Sequence, residues 1–131
     1  MIAVDTNVLV RLLVNDDAAQ ASKARQLFER AAAQQKNVWV SETVLVELAW
    51  TWARAYGRER SAVVMALHAL CSNATVTLES PLAVRNATAA FERGPADFAD
   101  CLLCAKAAAV GCEHVATFDR GMKGLPAVKL L

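Results

Sequence analysis

Short uninterrupted apolar runs alternate along this chain with longer stretches in which apolar residues recur every three or four positions. The first pattern predicts short strands, and the second predicts helices that cover them. Ile2-Ala3-Val4 predicts a buried strand, and Thr6 to Val14 a leucine- and valine-rich helix that ends at the break Asn15-Asp16-Asp17. Ala18 to Gln35 is a long amphipathic helix with Lys23, Arg25, Glu29 and Arg30 outward. Val38-Trp39-Val40, β-branched and aromatic, predicts a second strand. Ser41 then caps a helix to about Tyr56, which Gly57 stops, and another helix runs from about Glu59 to Leu70. Thr75 to Leu78 is a third strand. Pro81 suits the first turn of the next helix, which reaches about Phe91 before the break Arg93-Gly94-Pro95. Asp97 to Val110 is a helix closed by Gly111, His114 to Thr117 a fourth strand, and Val128 to Leu130 a fifth at the edge. Between those two strands, Asp119 to Pro126 forms a glycine-rich turn. Strands that alternate with helices, each strand short and apolar, predict an α/β fold: a parallel sheet with helices on both faces.

At 131 residues the chain is expected to be one domain, residues 1–131, with no repeat and no linker. Fourteen basic against thirteen acidic side chains give a net charge of +1, so no global field draws the protein to a polyanion. Nucleic-acid contact must then use a local patch. Arg54, Arg58 and Arg60 are the densest cationic cluster and the candidate nucleic-acid-binding residues, with Lys23, Arg25 and Arg30 on an earlier helix. Met1 leads straight into a strand without a basic leader, and no apolar run is long enough to span a bilayer, so a cytoplasmic protein with no membrane association is expected. Cys101-Leu102-Leu103-Cys104 has the spacing of a redox or zinc pair but sits inside an apolar helical pattern. Together with Cys71 and Cys112 these are expected to be buried, reduced thiols.

The chemistry lies in the acids, which have no basic neighbour. Glu47 stands three and four residues from Thr43, Val44, Trp50 and Thr51, on a helix apolar nearly all round, where an uncompensated carboxylate is costly unless it reaches water. Asp100 has Ala96, Asp97, Leu103 and Cys104 at the same spacings. Asp97 is a good N-cap. Asp5 and Asp119 each leave a strand at the end of the sheet where α/β proteins place their ligands, though either also suits a cap or a turn. If these acids share one pocket, repulsion is large: roughly 4 kcal/mol for two charges about 4 Å apart at an effective dielectric near 20. Either some acids stay protonated or a hard divalent cation, Mg²⁺ or Mn²⁺, neutralises them. Since His68 sits mid-helix and His114 at a strand start, no Ser–His or Cys–His pair is evident, and metal-assisted hydrolysis of a phosphodiester is the chemistry such a pocket would serve.

The stretches Asp5-Thr6-Asn7-Val8-Leu9, Val44-Leu45-Val46-Glu47-Leu48, Asp97-Phe98-Ala99-Asp100-Cys101-Leu102-Leu103 and Thr117-Phe118-Asp119 resemble, in order and over essentially the whole chain, the PIN-domain nucleases. Among these they most resemble the VapC-type toxins of bacterial toxin–antitoxin pairs. The resemblance implies a three-layer α/β/α sandwich with a short parallel sheet of four to five strands. It implies an endoribonuclease dependent on Mg²⁺ or Mn²⁺, frequent homodimers, and inhibition by a cognate antitoxin. Asp5, Glu47, Asp100 and Asp119 match the catalytic and metal-holding acids, and Thr6, Asn7 and Thr117 match positions that orient acids or water. Asp97 is an added acid that either ligates metal in Asp100's stead, caps, or holds a water; Asp100 is favoured as the ligand. Two alternatives stand beside this function. One is a catalytically inactive PIN-like module that binds RNA or protein. The other is a receiver-like phospho-acceptor domain, disfavoured because the middle strand leads to Glu79 and Lys129 lies inside the edge strand.

Overall fold

The computed structural model describes residues 1–14 and 16–131, so Asn15 of the expected break lies outside the described residues. Its contacts divide the chain into two compact units, Met1–Glu79 and Ser80–Leu131.

The first unit holds β1 (Ile2–Ala3), α1 (Thr6–Leu13), α2 (Ala18–Ala33), β2 (Val38–Val40), α3 (Glu42–Arg54), α4 (Arg60–Ser72) and β3 (Val76–Leu78). The strands pair in the order β1-β2-β3, all parallel, with Ile2 opposite Val38 and Val38 opposite Val76. β2 is central, and Val38 and Val40 are 0% exposed. Leu9, Leu45, Leu48, Val63 and Leu67 are buried too, each large side chain contributing roughly 1.5–3 kcal/mol as an upper estimate. β1 corrects an expectation: it is an edge strand with both residues exposed, and burial begins only at Val4. Capping explains where the helices start. Asp17 Oδ1 accepts the Gln20 N–H at 3.0 Å, and Ser41 Oγ accepts the Val44 N–H at 3.2 Å. Gly57, at φ +60°, ends α3 in a conformation that other residues resist.

The second unit holds α5 (Pro81–Arg93), α6 (Phe98–Ala109), β4 (Val115–Thr117) and β5 (Val128–Leu130). Phe91 and Phe98 meet edge to face, 6.1 Å between centroids, and pack α5 on α6 above buried Val84, Ala87, Cys101 and Leu102. Ser80 precedes α5 but does not cap it, since its hydroxyl accepts Lys106 Nζ from α6 at 3.1 Å. β4 and β5 form a separate parallel pair, Val115 opposite Val128, joined through a single 3-10 turn at Arg120–Met122.

Among the described residues, then, six helices and five parallel strands follow the expected α/β order, hydrogen-bonded as a three-stranded and a two-stranded sheet. No helix among them is long and apolar enough to cross a membrane. The cysteines are free, but only Cys101 is buried; Cys71 and Cys104 are half-buried and Cys112 is exposed. Cys112 departs from expectation because it follows Gly111, where the chain has already left α6.

Candidate active site

The candidate acids fall into two groups, one in each unit. In the first unit, β1 and β2 run parallel, so the helices that follow them both leave the same edge of the sheet. Asp5 occupies the N-cap of α1, and its Oδ1 accepts the Thr6 N–H at 2.8 Å. Thr6, 6% exposed, donates its hydroxyl to Glu47 Oε2 at 2.6 Å, a bond spanning 41 residues of sequence. One turn of α1 thereby fixes two acids: Asp5 through the backbone, Glu47 through a buried hydroxyl. Of the two placements the sequence leaves open for Glu47, enclosed in apolar surroundings or reaching water, the second holds: its side chain is exposed. Apolar neighbours do not enclose it, because Val44 and Val46 are only half-buried and Trp50 is exposed, so the core-facing stripe of α3 is narrower than its composition suggests. Asn7 is exposed beside them.

Replacing Thr6 with Val keeps the buried volume and removes only the donor. Activity is expected to fall about 10–100-fold, as when the partner orienting a functional acid is lost, while thermal stability barely changes because exposed Glu47 regains water. Thr6→Ser should restore most of the rate. Equal loss in both variants would remove the hydroxyl from the account.

In the second unit, Asp100 lies in the first turn of α6 and is half-buried. Burial pushes its carboxyl up from the ordinary value, and the charges of Asp119 and then Asp97 push it further. Asp97 holds the N-cap position of α6 yet makes no side-chain cap bond, so its exposed carboxylate is not consumed by the helix end. Asp119 is exposed just beyond β4. Its Oδ1 accepts the Gly121 N–H at 2.7 Å, and Thr117 Oγ1 accepts the Asp119 N–H at 3.0 Å. Thr117 thus orients the backbone of Asp119 rather than its carboxylate. Gly121 escaped the sequence reading, although a glycine two residues after a turn aspartate signals such a bond. A Cβ there would stand 3.0 Å from Asp119 Oδ1 and press on the acid. Cys104, one turn after Asp100, has its thiol pushed up by burial and by Asp100, which keeps it protonated near neutral pH.

The donors in both groups are oxygens, and the mutual repulsion felt by Asp100 is what a bound cation would relieve. Among the described residues, no three His, Cys, Asp or Glu side chains stand close enough together to form a finished metal cage. Mg²⁺ needs none, since it keeps several waters and takes one or two carboxylates, so this donor set suits it and its congener Mn²⁺.

The candidate RNA-binding arginines differ from one another. Arg54 and Arg58 are exposed and Arg60 is half-buried. Arg58 lies over the Trp52 ring, 5.0 Å from its centroid, and so already serves to pack the end of α3.

The chain as a whole is similar to known proteins. The family model for the PIN domain matches residues 2–128. A VapC ribonuclease of Aquifex aeolicus (strain VF5) is 26% identical over 121 residues, which cover 92% of this chain and 89% of that protein.

Proposed function

Because the chain belongs to the PIN-domain family, we propose that it is a divalent-metal-dependent endoribonuclease, the toxin of a toxin–antitoxin pair. The observation that carries the proposal is the place of Asp100, half-buried in the first turn of α6, where burial and then the charges of Asp119 and Asp97 push its carboxyl up. The similarity to a VapC ribonuclease supports the choice of RNA and of a toxin.

In this reading Asp5, Glu47, Asp100 and Asp119 are the catalytic and metal-holding acids. Asp100 is the direct ligand in the second unit, with Asp97 supporting it. Bound there, Mg²⁺ or Mn²⁺ would neutralise the carboxylates and stabilise the charge that gathers on the phosphate as water displaces a ribose oxygen. The protein's own part is orientation. Asp5 is held by the start of α1 and Asp119 by the turn after β4. Glu47 has Oε2 occupied by Thr6, leaving Oε1 to accept the proton of the attacking water. Arg54 and Arg60 would meet phosphates of the RNA. The cognate antitoxin, a second copy of the chain, and a cytoplasmic setting complete the proposal.

The test is direct. Purified wild type and Asp5→Asn are incubated with cellular RNA in Mg²⁺, and new ends are mapped. The wild type should cut at internal positions, and the variant should fall to background. RNA retained but left whole by the wild type would make the chain a binding module and reject the proposed reaction.

A further inference from the structure

Phe118 is 82% exposed although the chain on either side of it is fixed. The carbonyl of Thr117 accepts the Leu131 N–H at 2.9 Å, and the Thr117 hydroxyl accepts the Asp119 N–H at 3.0 Å. Asp119 in turn holds the Gly121 N–H at 2.7 Å. A ring of this size is ordinarily withdrawn from water. Here a well-bonded turn holds it out, directly beside the acid Asp119. Two cations follow on the same turn, Arg120 and Lys123, both exposed and neither in an ion pair among the described residues.

An aromatic face interleaved with cations is how proteins grip an unpaired nucleic-acid strand: a base stacks on the ring while the cations follow the backbone. We propose that Phe118 is a base-stacking subsite, taking a nucleobase next to the phosphate that is cut, with Arg120 and Lys123 on the neighbouring phosphates. The proposal rests on the reading of this chain as an RNA-cleaving protein and adds the residue that positions the strand. Every base has a π face, so the subsite selects for a base free to leave its stack rather than for one base identity. It also places a cationic contact for RNA on the turn that carries Asp119.

The ring is exposed, so its replacement should leave the fold intact, which thermal melting checks. The measurement is binding of a short oligouridylate to the metal-free protein, where no cleavage can occur. Phe118→Ala should weaken binding about ten- to a hundredfold. Phe118→Leu, which keeps apolar bulk without a π face, should be as weak. Phe118→Trp should bind at least as well as wild type, and its extra fluorescence should be quenched as the oligonucleotide is added. Wild-type affinity in Phe118→Leu would show a merely hydrophobic contact and overturn the proposal. So would wild-type affinity in Phe118→Ala, including the case in which that variant instead loses self-association or a protein partner. If RNA is never cut but the Phe118→Trp signal is quenched, the subsite stands and the proposed reaction falls. If RNA is cut equally well by all four proteins, the reaction stands and the subsite falls.

Discussion

Asp100→Asn is expected to lower metal-dependent RNA cleavage by at least about a thousandfold and to leave the metal-free protein as stable as before, or more so, near neutral pH. The two effects have one cause. Asp100 is half-buried beside two other acids, and its carboxyl is raised by burial, by Asp119 and by Asp97. An acid raised in the folded state costs nothing while both states are protonated. It costs progressively more as pH rises through the ordinary carboxylate range to the raised value, because the unfolded chain ionises first. The amide cannot ionise, so the variant escapes that loss. It also cannot neutralise or orient a cation, and about 4 kcal/mol of lost transition-state stabilisation corresponds to the thousandfold fall in rate. Cleavage rates and melting curves in chelator, taken on the same two proteins across pH, check both halves. A variant that cleaves within tenfold of wild type would remove Asp100 from the catalytic set. A variant that is clearly less stable at neutral pH would mean that the carboxylate is held by favourable contacts rather than by a missing cation.

Adding Mn²⁺ to the chelator-treated wild type is expected to raise its melting temperature by about 10 °C at a hundredfold excess over the dissociation constant. Such saturation contributes about 2.7 kcal/mol, and a domain of this size gains a few degrees per kcal/mol. The rise should shrink steadily as pH falls toward the carboxylate range. Protons compete with metal for the same oxygens, and Asp100, with its raised carboxyl, is protonated before an ordinary aspartate would be. A stabilisation by Mn²⁺ that persists at low pH, or that Ca²⁺ and Na⁺ reproduce in full, would point to general ionic effects rather than to binding by these acids.

Much of this was legible in the residues, for a definite reason. The order of strands and helices is a matter of local periodicity, and both Val38–Val40, β-branched and aromatic, and Val128–Leu130, which follows a glycine- and proline-containing turn, form at the expected bounds. Asp5 and Asp119 were placed at strand ends by the same local signals. What was not legible depended on tertiary neighbours. The sequence leaves Glu47 open between burial and water, because its helix is apolar in composition and composition does not say which apolar positions another element covers. Its partner Thr6 lies 41 residues away, beyond any periodic signal. The exposure of β1 follows from its place at the sheet edge, which only strand pairing reveals. Asp97 stands where an N-cap should be and makes no cap bond, a side-chain choice that spacing cannot foresee. Nothing in the local pattern marks Phe118, whose 82% exposure is a property of the folded turn. Local sequence thus positioned the backbone of each candidate acid, whereas burial and hydrogen-bond partners decided what each carboxylate is free to do.

A calorimetric titration of Mn²⁺ into the wild type and into Asp5→Asn and Asp100→Asn, all confirmed folded by their melting curves, bears most directly on these acids. Metal binding by these acids predicts a saturable heat for the wild type at neutral pH and affinity at least about tenfold weaker in each variant. Equal binding by all three proteins, or no saturable binding by the wild type, would contradict it.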